Sequence, residues 1–500
     1  MLRKIDNEII INQDFYGSYG LYLYENKTDN YFALSNSFLL LEEYLVGKQN
    51  ISLNKDFADN FIISGLCSPS IYETLINEII MLPANIIIII SIRKRNFKFL
   101  FIDYKEHTVP IDSEQGQNII DNWVDKWGYI FRSLHKQTDN LAFDLSGGFD
   151  TRISFSILIS SGIDLKNIYI KSYDDQKKNP AHIEDLNIAI NISSKYGFKL
   201  NDFSLDNKGI IWSTEDALYC TLYSKLGFHK EFYLKTRFYD RPRFVVTGFG
   251  GENIRGYPGY PIEKYIENIS SQGKKIDGYE GIFYNSSLRL CKRSVDLLKR
   301  EKNYINSYEI SSDLYSKGRT RHHFGRGVVE AFLANLYMIN PLLDPEIMKI
   351  NFNMEEKNAH DLIAYIYVRF AHDLIYFPIQ GKRAINIQSI KKAERLNNKY
   401  KSYKIKYDAN DNFFIDIKRK SPVSTPIKNN NVNLYLKELF KSSKFIQNIH
   451  KIYNNDVVYN WAIEYTKNTT FYPLRHLYGL LAISITMDNL FLNKKYMNKS

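Results

Sequence analysis

The sequence predicts an α/β protein, with a β-rich N-terminal domain followed by a doubly wound parallel sheet and a helical C-terminal part. Strand patterns separated by polar turns fill residues 1–110, and from residue 139 apolar strand segments alternate with helical segments. Such alternation is typical of a parallel sheet with helices on both faces. We therefore divide the chain into a β-rich domain (1–110), a connecting helix (111–138) and a second domain (139–500).

Elements of the first domain follow from alternating aromatic and aliphatic residues. A strand, a polar turn and a second strand are predicted in GLYLYENKTDNYFALS (20–35) and again in ANIIIIISIRKRNFKFLFIDY (84–104). Apolar residues near helical spacing predict the connecting helix over 112–136.

In the second domain a strand, a glycine turn and a helix are predicted in LAFDLSGGFDTRISFSILISSG (141–162). A strand in 165–173, a helix in 182–197 and a third strand at 244–248 follow, and the last runs into the glycine-rich GFGGENIRGYPGY. Ligands of parallel sheets bind beyond the carboxyl ends of the strands. Both glycine clusters follow such ends, so they are expected to share one site. Beyond residue 285 the pattern is mostly helical, and 407–431 is a polar, loop-like tract.

Charge and cysteine content exclude several classes of function. The formal net charge is +11 over 500 residues, but the basic residues are spread without a long block, so no nucleic-acid partner is expected. Cys67, Cys220 and Cys291 are far apart and form neither a zinc spacing nor a disulfide framework. With no signal peptide and no apolar run long enough to span a bilayer, we expect a cytoplasmic protein.

The first glycine cluster has the chemistry of a phosphate site. Glycines let a ligand approach the backbone, and a helix start presents unpaired N–H groups to anions. Hydroxyl groups and a carboxylate, the latter a ligand for Mg²⁺, complete the set. The residues expected to bind pyrophosphate or its metal are Ser146, Gly147, Gly148, Asp150 and Thr151.

This cluster, SGGFDT, resembles the pyrophosphate-binding loop of PP-loop ATP pyrophosphatases, which cut ATP between its α and β phosphates. The segment GFGGE (248–252) and the segment PLLD (341–344) are similar, in the same order, to two motifs of the asparagine synthetase-like branch. The resemblance covers residues 139 to about 400.

The resemblance implies ATP and Mg²⁺ as cofactors. It makes Asp150 and Glu252 the metal ligands, and places Gly248 and Gly250 in the nucleotide site. Glu252 stands where the family has Asp, and one extra methylene still lets the carboxylate reach the ion. Asn253, where relatives often carry a second acid, is expected to form local hydrogen bonds.

The first domain resembles a reduced copy of the family's glutaminase (Ntn-type) domain, in residues 22–47 and 81–92. A working glutaminase of that class uses a cysteine at the mature amino terminus. Position 2 here is Leu2, and Cys67 cannot substitute, because the α-amino group serves as the base for the terminal thiol. The resemblance therefore implies an amine that enters without glutamine hydrolysis.

Two further positions concern the chemistry. Phe249 stands where relatives have Glu or Tyr, and a phenyl ring cannot transfer a proton. A lysine of the family stabilises the charge of the transition state, and Lys382, with Arg383 beside it, is the candidate for that catalytic role. Lys418 and Lys420 are its rivals.

The basic string GRTRHHFGRG (318–327) offers Arg321 and His322 for an anionic substrate, with a plain basic helix face as the alternative. Arg152 is a further candidate, either as a contact to phosphate or substrate or as the partner of an acid on the sheet surface.

Together these residues predict an ATP-dependent ligase that adenylates a carboxylate and couples it to an amine. The carboxylate is a small molecule or is linked to a sugar, for example a uronic acid in surface-polysaccharide synthesis. The alternatives are a cyclase of the β-lactam or lasso-peptide type, a tRNA-modifying PP-loop enzyme and an inactive scaffold. The sequence does not fix the oligomeric state.

Overall fold

The protein has a mixed α/β fold in a computed structural model that describes residues 2–64, 68–101, 109–172, 180–202, 208–226, 237–254, 259–277, 281–301, 303–304, 306–351, 360–381, 383–400, 443–453 and 479–489. The polar tract 407–431 lies outside the described residues. None of the described helices is both long enough and apolar enough to cross a membrane.

The strands are β1 (Leu2–Ile5), β2 (Glu8–Asn12), β3 (Tyr22–Asn26), β4 (Tyr31–Ser35), β5 (Ile79–Met81), β6 (Ile86–Ser91), β7 (Asn96–Phe101), β8 (Val109–Pro110), β9 (Leu141–Asp144), β10 (Tyr169–Lys171), β11 (Gly209–Ile211), β12 (Arg237–Tyr239), β13 (Arg243–Val246), β14 (Leu336–Ile339) and β15 (Ile350–Asn351).

The α-helices are α1 (Phe38–Leu45), α2 (Lys55–Ile63), α3 (Glu114–Gln137), α4 (Phe149–Ser160), α5 (Pro180–Tyr196), α6 (Thr214–Lys225), α7 (Gly251–Ile254), α8 (Ile262–Asp277), α9 (Ile282–Glu301), α10 (Ser307–Leu314), α11 (Arg326–Leu333), α12 (His360–Phe370), α13 (Ile387–Lys399) and α14 (Ser443–Ile452). A π-helix (Tyr315–Gly325) joins α10 to α11. Short 3-10 helices occupy Leu165–Asn167, Pro341–Leu343, Ile347–Lys349 and His372–Tyr376.

The N-terminal region is built from two antiparallel sheets, with strand orders β1-β2-β6-β7 and β4-β3-β5. Side chains of both sheets, including Leu23, Ile88 and Phe99, form one apolar cluster. The other face of the three-stranded sheet is covered by α1 and α2. Both predicted strand–turn–strand units are confirmed, as the antiparallel pairs β3–β4 and β6–β7.

The part of the chain after residue 139 forms a sheet of four parallel strands in the order β10-β9-β13-β14. On one face, Phe143 and Val246 pack with residues of α4, α5 and α12. On the other, Ala142 and Val245 pack against Ala331 of α11. The predicted α/β class with a parallel sheet is therefore confirmed, with helices on both faces.

One strand of this sheet was not predicted. β14 lies in the region beyond residue 285 that the sequence pattern assigned to helices. Its four residues, LYMI, are too few to display a periodicity, and only their pairing with β13 makes them a strand.

The order of the strands fixes where a ligand can bind. The chain passes from β9 outward to β10, then returns to the opposite side of β9 to form β13 and β14. Loops that follow β9 and β13 leave neighbouring strands at this reversal, at the carboxyl edge of the sheet, which is the usual binding position in an open α/β sheet. These two loops carry the two glycine clusters.

Candidate functional site

The first glycine loop connects the end of β9 to the start of α4. The Ser146 hydroxyl accepts a hydrogen bond from the Gly148 N–H (3.1 Å) and lies 3.0 Å from the Thr151 hydroxyl. The Ser146 N–H donates to the same Thr151 oxygen at 2.9 Å. Both hydroxyls predicted for ligand binding therefore also close the loop on itself. The N-cap is Gly148, so no side chain of this residue covers the start of α4.

Gly147 is held on both sides of its backbone. Its carbonyl accepts hydrogen bonds from Arg152 Nη2 and from the Gln380 N–H, each at 3.0 Å. Its N–H donates to Asp185 Oδ1 at 2.8 Å. A Cβ at position 147 would lie 2.7 Å from Ile188 Cδ1, so the close packing of α5 against the loop requires glycine.

The second glycine cluster touches the first at Asp150. A Cβ on Gly248 would lie 2.6 Å from the Thr151 nitrogen, and a Cβ on Gly251 would lie 2.2 Å from Asp150 Oδ1. These approaches are shorter than any side chain permits, so both glycines are required by the contact. The prediction that the two clusters meet at the carboxyl edge of the sheet is confirmed.

Asp150 and Glu252 are the acidic side chains that the two adjoining glycine loops offer to a magnesium ion. Glu252 directly follows Gly251, which abuts the Asp150 carboxylate, and both acidic residues are half-buried. Across the described residues, no group of three or more His, Cys, Asp or Glu is placed to bind a metal. Mg²⁺ commonly binds through one or two protein carboxylates together with substrate phosphates, so two carboxylates from adjacent loops suffice.

The PLLD segment supports the second cluster from below. Gly250 has φ +96°, and a Cβ there would lie 2.4 Å from Leu343 Cδ2. Asp344 accepts a hydrogen bond from Trp127 Nε1 of α3 at 2.8 Å and pairs with Lys126. This segment therefore anchors the glycine cluster to the connecting helix, and Gly250 serves the packing of the cluster.

Phe249, within the second glycine cluster, is half-buried and faces the π-helix. Its ring centroid is 5.1 Å from that of Phe324, and its N–H donates to Thr247 Oγ1 at 3.1 Å. The rings of Phe249 and Phe324 therefore form an aromatic wall beside the second glycine cluster.

Arg152 lies in the interior, with no exposed surface. Its guanidinium donates to the carbonyls of Gly147, Phe377 (3.4 Å) and Pro378. Burial lowers the pKa of Arg152. We expected a phosphate, a substrate or a surface acid as its partner, and the structure instead gives it three backbone carbonyls that fasten the segment 377–381 to the glycine loop.

Arg321 and His322 are also buried, with 3% and 0% of their surfaces exposed. Arg321 donates from Nε to the Gly17 carbonyl (3.1 Å) and from Nη2 to the Leu82 carbonyl (2.6 Å). The two side chains therefore present no open basic face to a substrate, contrary to the expectation from the sequence. Arg321 instead docks the N-terminal region onto the π-helix.

The proposed catalytic Lys382 lies outside the described residues, as do Lys418, Lys420 and Cys67. The residues next to position 382 contact α5 and the first glycine loop. The Gly381 N–H donates to Glu184 at 3.0 Å, and the Arg383 guanidinium lies 5.5 Å from the Phe149 ring centroid. The chain on either side of position 382 thus lies against the first glycine loop.

Two residues beside the glycine loops, Asp185 and Tyr16, were missed by the sequence analysis. Asp185, a half-buried carboxylate on α5, contacts Gly147, and burial raises the pKa of Asp185. Tyr16, from the N-terminal region, places a buried hydroxyl beside Asn253, and burial raises the pKa of Tyr16. Asn253 accepts a hydrogen bond from Thr320 (3.1 Å), 67 positions along the chain, so this bond is not the local one expected from the sequence. Neither contact has a local signal, because both partners come from distant segments.

A scan against models of known protein families finds no match, and a search of curated proteins finds no significantly similar sequence. The resemblance to asparagine synthetase-like proteins thus depends on the three short motifs.

Proposed function

We propose that the protein is an ATP-dependent ligase that adenylates a carboxylate and joins it to an amine, releasing pyrophosphate and AMP. The observation that carries the proposal is the contact of Asp150 with Gly248 and Gly251 at the point where the strand order reverses. It joins a glycine loop, a helix start and two acidic residues at one edge of the sheet. This combination of groups suits phosphate together with magnesium.

Each group has a defined task in this reaction. The N–H groups of the first glycine loop, Gly147 included, and of the start of α4 would hold the phosphates. The carboxylates of Asp150 and Glu252 would hold Mg²⁺, which would supply positive charge against the pyrophosphate leaving group. An oxygen of the substrate carboxylate attacks the α-phosphorus, and the bond from that phosphorus to the bridging oxygen of pyrophosphate breaks. The amine then attacks the acyl carbon and AMP leaves. Lys382 supplies a further positive charge in the transition state.

The N-terminal region and the aromatic wall define the acceptor side. Phe249 and Phe324 favour an acceptor with an apolar or ring-shaped part, and a sugar acid is one candidate. We propose that the amine is taken up directly, without glutamine hydrolysis.

The test is the release of pyrophosphate from Mg²⁺-ATP with a panel of carboxylates, including nucleotide-linked uronic acids, with and without amines. Asp150→Ala tests the metal site, and Gly327→Ala is the matched control, because a Cβ on Gly327 meets no atom within 4 Å. Release that depends on a carboxylate and is lost in Asp150→Ala supports the proposal. ATP that binds equally well to wild type and Asp150→Ala argues against it.

A further inference from the structure

The Gly147 N–H already binds an anionic oxygen of the protein itself. Asp185 Oδ1 accepts this N–H at 2.8 Å, across 38 positions of sequence. Because the Gly147 carbonyl is fixed by Arg152 and Gln380, the loop is held in place around this bond. A carboxylate oxygen and a phosphate oxygen are the same kind of acceptor for a backbone N–H.

A nucleotide phosphate that enters this loop therefore meets a carboxylate. Asp185 is half-buried, and its Oδ1 would lie 2.8 Å from a Cβ on Gly147, so the carboxylate lies directly against the loop. Like charges at hydrogen-bond separation repel strongly where water is partly excluded. The anchored loop cannot turn its N–H away, so the side chain of Asp185 must rotate.

Building on the proposed ATP site, we propose that Asp185 is a resident anion of the phosphate loop, which occupies the Gly147 N–H and must be displaced when a phosphate group of the nucleotide binds. The free protein is thus self-inhibited at its phosphate site. When phosphate binds, the wild type must break the charge-assisted hydrogen bond between Asp185 and Gly147. A variant with a neutral side chain at position 185 has no such bond to break.

Isothermal titration with inorganic pyrophosphate tests this, once with Mg²⁺ and once with EDTA. Asp185→Asn keeps an oxygen that can accept from Gly147 but removes the charge, and Asp185→Ala removes both. Asp202→Asn is the control for net charge, because Asp202 is an exposed acid that pairs with Lys199 (3.3 Å). We expect both variants at position 185 to bind pyrophosphate about tenfold more tightly than wild type, with or without metal, and the control to match wild type.

The outcomes separate the two proposals. If wild type binds pyrophosphate and Asp185→Asn binds it no more tightly, the displaced-anion proposal is wrong and the ATP site stands. Weaker binding of Asp185→Asn only with Mg²⁺ would make Asp185 a metal ligand, and weaker binding of Asp185→Ala alone would make it a support for the loop; either result overturns the proposal. If neither wild type nor the variants bind pyrophosphate or ATP, the phosphate site itself is wrong.

Discussion

Gly251→Ala perturbs the proposed metal site without replacing a charged residue. The new Cβ would lie 2.1 Å from Asp150 Cγ and 2.2 Å from Oδ1. An ordinary van der Waals separation is about 3.5 Å, so the carboxylate must retreat by about 1 Å, more than a metal ligand tolerates. Since disturbing the surroundings of a metal site typically costs 10- to 100-fold in affinity, we expect the Mg²⁺ concentration needed for half-maximal ATP binding to rise about 10- to 100-fold.

The assay is ATP binding by titration calorimetry at increasing Mg²⁺, with Gly327→Ala as the control. Overpacking at position 251 is expected to lower stability by about 1–3 kcal/mol, so circular dichroism must establish that the variant is folded at the assay temperature. A folded Gly251→Ala protein with the Mg²⁺ dependence of wild type would refute the assignment of Asp150 to the metal site.

Three further predictions concern stability. Burial raises the pKa of Glu42 from 4.5 to about 8, so between these pH values the folded protein keeps a proton that the unfolded chain has lost, and stability falls as the pH rises. Urea unfolding of Glu42→Gln across this range should therefore show a flatter dependence of stability on pH. An unchanged slope would contradict the assignment of this pH dependence to Glu42. Arg369→Met removes the buried ion pair between Arg369 and the Asp121 carboxylate (2.6 Å), so urea unfolding should show a loss of about 3–5 kcal/mol. A loss below about 1 kcal/mol would contradict a stabilising role of this pair. Arg321→Ala removes the bond to Gly17, so trypsin should cleave the N-terminal region faster than in wild type, and equal rates would show that Arg321 does not dock it.

Local sequence predicted the strand–turn–helix unit around the first glycine loop well. An apolar strand, two glycines and a helix determine β9, the turn and α4 through interactions between near neighbours. The meeting of the two glycine clusters was also predictable, because the carboxyl ends of parallel strands share one edge.

The roles of the buried charges were not predictable. An arginine is usually a surface residue, and the sequence around Arg152 and Arg321 gives no sign of burial. Each is buried because carbonyls from remote segments accept its hydrogen bonds. The same holds for Asp185 and Tyr16, whose partners are fixed by the packing of α5 and of the N-terminal region. Contacts of this kind leave no periodicity in the chain.

In the proposed reaction the substrate carboxylate attacks the α-phosphorus of ATP. The most direct test supplies a carboxylate labelled with heavy oxygen, once a turnover substrate is found, and analyses the products by mass spectrometry. We expect AMP that carries one heavy oxygen together with unlabelled pyrophosphate, and loss of both products in Asp150→Ala. ADP with labelled phosphate, or AMP without label, would contradict it.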